Sequence, residues 1–283
     1  MGAKTCENHV IEMNGSGNNA HIKRLLATKQ CQGGNLRDAH LARLNLSGAD
    51  MSGAKLMFAH LNGTNLRDAN LSGADISLAN LVGADLVNAD LSGVDAKGVN
   101  LLDAKLDGAK LGGADLVFAN LVNTQMTEAN LSGASLEGSN LIGAHLERAY
   151  LTGTNLVGTN FAHAQLMGAN LSNGDLSNAS LVEANLSEAN LTGANLRNAN
   201  LLNANLMGAN LTGADLSGAN LEGAKLDGAI GIYPENGMNR RRSHDAQTQS
   251  GTQTGMPYVS LIQSGPPRAV ANGFGLPRPG LPS

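Results

Sequence analysis

The sequence predicts an all-β fold, a four-sided solenoid in which the chain winds into a rod of stacked coils. Three observations predict it. From Leu36 to Leu226 every fifth residue is apolar: 34 of these 39 positions are Leu, and the others are Met51, Ile76, Ala96, Met126 and Phe161. The slots around that centre are nearly as fixed, with Ala two residues before it in 29 of 39 units, Asn or Asp one before it in 27, and Gly two after it in 21 with Asn or Asp in 9 more. The slot directly after the centre repeats its character only at every fourth unit.

Each slot has a physical reason. A period of five smears apolar residues around a helix axis, which excludes an amphipathic helix. In an extended segment side chains alternate, so the Leu and the Ala two before it share one direction, inward, and the Asn or Asp between them faces out. Gly, Asn and Asp best tolerate positive φ, which a type II turn requires at its third position. Every unit thus makes one short side and one corner. Gly53, Gly73, Gly93 and Gly133 are expected at positive φ. The corners at Phe58, Leu78 and Phe118 are expected to be of another type, because bulky residues resist that conformation. Ala96 stands where the pattern calls for Leu, and Val94 and Val99 occupy Ala slots where their extra methyls can fill the space it leaves.

The number of sides follows from the columns. Taken at every fourth unit, one column after the centre reads Ser52, Ser72, Ser92, Gly112, Ser132, Thr152, Ser172, Thr192, Thr212, while another reads Ala42, Asn62, Val82, Leu102, Val122, Ile142, Ala162, Val182, Leu202. Four units per coil keep these columns apart; three would mix them. The 39 units make about ten coils, and a spacing of about 4.8 Å gives a rod roughly 45–50 Å long.

A solenoid exposes its core at both ends and needs caps. Residues 1–18 read as a flexible N-terminus and 19–33 as a capping segment. Its short helix is expected over roughly 20–29, because Ile22, Leu25 and Leu26 fall at i, i+3 and i+4 and Asn19 is placed to cap it. Cys31 lies five residues before Leu36, in register with the inward Leu, and reads as a buried apolar residue. The solenoid is expected over 34–233, with Ile230, Ile232 and Tyr233 covering its last coil. All 7 Pro lie at or beyond Pro234, so residues 234–283 read as a disordered Pro- and Gly-rich tail. That tail carries Arg240, Arg241 and Arg242 and the apolar stretch Met256–Ile262.

Composition narrows the function. Two cysteines are too few for a disulfide framework. No run of apolar residues is long enough for a membrane span, and the first residues lack an apolar signal core, so a cytoplasmic protein is expected. The formal charge is +2 over 1–33, −9 over 34–230 and +3 over 231–283. Without a basic face, direct nucleic-acid binding is not expected. No metal signature appears. His40 and His60 share a slot one coil apart and are expected to stack on the surface, and Asp75, Asp95 and Asp115 form a line, not a cage. A rod of small side chains offers no concave pocket, so neither a catalytic site nor a cofactor is expected.

One side of the rod stands out. Phe58, Leu78 and Phe118 lie along one edge, and Val82, Leu102, Val122, Ile142, Val182 and Leu202 along the other. Between them runs an Asn ladder of Asn80, Asn100, Asn120, Asn140, Asn160, Asn200 and Asn220. β-Branched residues suit extended backbone in any case, but contiguous exposed apolar area marks a contact. This side is the candidate for docking a protein partner, for self-association, or for capture of the Met256–Ile262 stretch.

The unit Ala-(Asn/Asp)-Leu-X-X, as in Ala69-Asn70-Leu71-Ser72-Gly73, resembles the pentapeptide repeat family, and the match runs through the whole Leu36–Leu226 segment. The resemblance implies a right-handed quadrilateral β-helix and a non-catalytic interaction protein or scaffold, since most members have no known activity. The uninterrupted Leu-centred run and the lead-in from Lys23 to Cys31 look most like cyanobacterial members, one branch of which regulates cell differentiation through a partner protein. Another branch is an acidic DNA mimic that inhibits or protects DNA gyrase and gives quinolone resistance, which is the alternative function. Three departures weigh against it: the modest negative charge, the near absence of Phe from the centre slot, and repeats that no loop interrupts.

Overall fold

The computed structural model describes residues 18–232. The expectations for 1–17 and 233–283, including Cys6, Tyr233, the Arg240–Arg242 run and the Met256–Ile262 stretch, fall outside the described residues.

The coil is four-sided. Each outward residue pairs in parallel with its counterpart four units later, from Gln30 with Asp50 through Asn210 with Ile230. A side is a single bridged residue flanked by two corners. The unit Ala69–Gly73 shows where its five backbone N–H groups go. Leu71 donates to Asp90 O of the next coil at 2.7 Å, Gly73 donates to Ser92 O at 2.9 Å, and Asn70 donates back to Ala49 O at 2.9 Å. Ala69 closes the preceding turn onto Leu66 O at 3.0 Å. The fifth donor, Ser72 N–H, reaches the Asn70 side-chain Oδ1 at 3.0 Å. Every Asn or Asp of that slot makes this last bond, all 27 of them. The slot faces outward as expected, but its composition is set by this local duty: a short side-chain acceptor satisfies a turn N–H that no backbone carbonyl of a neighbouring coil reaches.

The core is the inward column of each side. The centres from Leu36 to Leu216 are all buried, and the Ala residues before them, from Ala39 to Ala214, are buried with them. Val94, Ala96 and Val99 are all buried. Where Thr replaces Ala, its hydroxyl finds a carbonyl: Thr64 Oγ1 donates to Leu41 O at 2.8 Å and Thr159 Oγ1 to Leu136 O at 2.8 Å.

All 39 corners have positive φ, between 55° and 75°. The four glycines named above conform. Phe58, Leu78 and Phe118 do not form another turn type: their φ values are 61°, 57° and 56°. The reason is the hydrogen-bond register. The N–H of each corner residue must reach the next coil, as Leu78 N–H does to Lys97 O at 2.9 Å and Phe118 N–H to Glu137 O at 3.0 Å. Only the left-handed conformation turns it that way, so the fold imposes it on whatever side chain is present.

At the N-terminal end α1 (Asn18–Thr28) covers the first coil. It starts before Asn19, which therefore lies inside its first turn and does not cap it; the Asn19 Oδ1 is buried without a partner. Ile22 and Leu25 are buried against the coil, but Leu26 is exposed, because a helix on a narrow coil end needs only one line of contact. Lys29 leaves the helix at φ 56°, its N–H on Leu25 O at 2.8 Å. Cys31 is buried as expected, and burial pushes its thiol pKa up while Arg24 pulls it back. Gly34 is required here, since a Cβ would collide with Cys31 Sγ. At the other end Ile232 packs against the core but Ile230 is exposed, because it falls in the outward slot and bridges Asn210.

Two predictions come from this architecture. Leu156→Ala should destabilise the rod by about 2–5 kcal/mol through the cavity it leaves, whereas Ser132→Ala should do little; chemical-denaturation midpoints compare the two. The second concerns acid. The Ser217 hydroxyl and N–H, with Arg197, hold the Asp215 carboxyl down at about 2 from its ordinary 3.8, and Ser92 lowers Asp90 in the same way. A depressed carboxyl stabilises in its ionised form, so the contribution is complete above the ordinary Asp range and is lost as pH falls towards 2. Both groups sit near the surface, where salt screens them. The thermal midpoint should fall on acidification across that window, and fall less in Asp215→Asn, which keeps the acceptor.

Candidate interaction face

The side singled out by the sequence is assembled from three columns. The Phe58/Leu78/Phe118 corner forms one edge, the Asn ladder the middle, and the Val82–Leu202 column the other edge. The ladder is tied along the rod as well as to its own turns: Asn120 donates from Nδ2 to Asn100 Oδ1 at 3.0 Å, and Asn220 to Asn200 Oδ1 at 3.1 Å. The two edges differ. Val82, Leu102, Val122, Ile142, Val182 and Leu202 are half-buried, because residues repeating at coil spacing cover one another. The free apolar surface belongs to the opposite corner, where Phe58 is 44% exposed, Leu78 54% and Phe118 71%.

That corner is chemically unusual. Non-Gly residues occupy the left-handed position at other corners too, but there they are Asn, Asp, Glu, Arg or His. Among the described residues the only apolar ones are Phe58, Leu78 and Phe118, and all three stand in one column. Leu78 and Phe118 lean along the rod over the next corner. A Cβ on Gly98 would lie 2.8 Å from Leu78 Cδ2, and one on Gly138 would lie 2.5 Å from Phe118 Cε1. The glycines one coil on therefore make the seats for these bulky residues.

Charge sets the side apart as well. From Leu78–Val82 through Asn198–Leu202, seven consecutive coils place no Asp, Glu, Lys, Arg or His in its three columns. The adjacent side carries Asp75, Asp95, Lys97, Asp115, Glu137, Asp175 and Arg197 over the same length. Its aspartates perform the turn-capping duty as well as any Asn, Asp75 to Ser77 N–H at 3.1 Å for example. The use of Asn without a single Asp on the candidate side is thus not demanded by the turn. Charge resumes past the Val–Leu edge, where His163 Nδ1 and Glu183 Oε2 lie 3.3 Å apart.

The remaining features are surface chemistry. His40 and His60 stack with centroids 4.6 Å apart and planes 2° from parallel. Lys97 lies beside the acidic column, its Nζ 3.1 Å from Asp95 and 2.7 Å from Asp115. Among the described residues no group of three His, Cys, Asp or Glu is placed to hold a metal ion. A depression of about 320 Å³ between neighbouring coils is lined by Asp107, Gln125, Thr127 and His145. Among the described residues no helix is long and apolar enough to cross a membrane. Exposed apolar groups that the sequence pattern does not single out are Tyr150, Met167 and Met207; the two methionines share one column two coils apart, which is the available signal.

The repeat matches a known family. A family model described as Pentapeptide repeats matches in eight copies between residues 35 and 230. HetL, a pentapeptide repeat protein involved in heterocyst differentiation regulation from the cyanobacterium Nostoc sp. strain PCC 7120, is 34% identical over 80% of this chain and 100% of its own, with a TM-score of 0.29. The pentapeptide repeat protein alr5209 from Nostoc PCC 7120 is 36% identical over 36% of this chain and 78% of its own, with a TM-score of 0.29. QnrB1, a plasmid-mediated fluoroquinolone resistance protein, is 25% identical over 66% of this chain and 88% of its own, with a TM-score of 0.42. No curated protein matches the chain. The chain belongs to the pentapeptide repeat family, and its fold is the right-handed quadrilateral β-helix.

Proposed function

We propose that the chain is a non-catalytic cytoplasmic interaction protein that presents the uncharged side of its rod to a protein partner. One observation carries the reading. Three bulky apolar residues occupy left-handed corners of a single column, where Gly, Asn or Asp would serve the fold better, and they are exposed on the side without charge. A left-handed conformation costs a non-Gly residue on the order of 1–2 kcal/mol, and an exposed aromatic ring recovers little of that in water. Strain of this kind at an exposed hydrophobe points to a contact. The gyrase-mimic alternative has less behind it, since Lys97 neutralises the centre of the acidic column.

The reading separates stability from binding. Phe118→Gly should leave the fold as stable as before or stabilise it by up to about 1 kcal/mol, while weakening partner capture. Thermal denaturation and a pull-down on the same variant test this, and a loss of stability in Phe118→Gly would show that the ring serves the fold. Leu102→Asp/Ile142→Asp should likewise keep the circular-dichroism spectrum and lose partners. Retention of every partner by both variants would remove the face from the function.

A further inference from the structure

We propose, resting on the face identified above, that its occupant is a second copy of the chain, laid antiparallel about a two-fold axis at the coil of Asn140 and Ile142. Charge gives the first argument. The segment 34–230 carries a formal −9, so two rods repel through most of their surface. Within its three columns the face from Leu78 to Leu202 lets them meet without opposing like charges.

Register gives the second. A two-fold axis perpendicular to the rod and lying in the interface sets each column against its own reverse. Placed at Ile142, it lays the whole uncharged run on itself. Val82 then meets the partner's Leu202, Leu102 the partner's Val182, and Ile142 its own copy. At the bulky corner Leu78, which leans over Gly98, comes level with the partner's Asn178, and Phe118, which leans over Gly138, comes level with its own copy across the axis. The two Phe118 rings thus face each other at the axis, where an aromatic pair is favourable.

The ends give the third. The same register brings Glu222 opposite the partner's Asn62. Arg43 leans towards that level, since a Cβ on Gly63 would lie 3.4 Å from Arg43 Cγ. Among the described residues neither Arg43 nor Glu222 is in an ion pair. The two-fold axis offers each the other, once at either end of the interface.

The area is adequate for a reversible dimer. Nine coils at about 4.8 Å by four residues of extended chain bury roughly 1,100 Å² over both copies, which is the size of a weak, reversible interface.

The test uses the full chain. Sedimentation velocity should show a concentration-dependent dimer. Arg43→Glu should weaken it by roughly tenfold or more, and Arg43→Glu/Glu222→Arg should restore it. In a Cys6→Ser background, Ile142→Cys should oxidise to a covalent dimer with itself. Val82→Cys should cross-link to Leu202→Cys in a mixture but not to itself. A monomer at all concentrations, a charge reversal that restores nothing, a Val82→Cys self-link, or a dimer that survives Leu102→Asp/Ile142→Asp would each overturn the proposal. A monomeric wild type whose double Asp variant still loses a different protein would leave the face standing and remove only the second copy.

Discussion

Everything in this molecule depends on one constraint: the backbone must present its hydrogen bonds to the equivalent position one coil away, four units further along the chain. A coil of four units does this only if each corner turns its N–H along the rod and each side places its carbonyls opposite the next coil's donors. Leu fills the inward slot because the interior is that wide, and Ala sits where the corner approaches the core. Asn or Asp takes the outward slot because one turn N–H in each unit has no backbone carbonyl above or below it. The sequence repeat is the list of side chains that let one backbone geometry recur.

The same constraint decides the conflict at the bulky corners. Local preference places Phe58, Leu78 and Phe118 outside the left-handed region. Against it stand the inter-coil bonds of the corner itself and of the coils on both sides, which a different turn would break together. The penalty is therefore absorbed locally, and the Phe118 ring settles over the glycine one coil further on. Such a rod is quasi-one-dimensional, so its ends behave unlike its middle. Leu25 and Ile22 seal the first coil, whereas Leu221 and Leu226 of the last described coil are only partly buried.

Most of the fold is legible in the sequence because each slot is sampled 39 times. The period, the inward Leu and Ala, the four columns and the His40–His60 stack can all be read. What is not legible concerns single positions. The turn at Phe58 escapes because residue preference is a local quantity and the register is not. Asn19 escapes as an interior helix residue because helix starts are weakly marked, and Leu26 because helical spacing does not reveal how narrow the covered surface is. Ile230 looks like a cover because its apolarity hides its outward slot. The candidate face is legible as a pattern of apolar residues, but its half-buried edge and its strained, exposed edge look alike in sequence.

A repeat this regular leaves few places where function can be written. The two inward slots are committed to the core, and the slot before the centre is largely committed to the turn. The residues free to vary are the two at each corner and the choice between Asn and Asp. On three sides that freedom is used in a mixture of charge, Ser, Thr and Gly, which keeps a rod soluble and commits it to nothing. On the fourth, seven coils carry no charge: Asn or Ser and never Asp in the turn, mostly Val, Leu or Ile at one edge, and at the other edge Gly or Asn with Leu78 and Phe118, which the backbone itself disfavours. Propensity for extended chain accounts for the Val–Leu column and solubility for none of it. What unites the columns is a surface that avoids charge and accepts strain to expose large apolar groups, and on that chemistry the proposed contact rests.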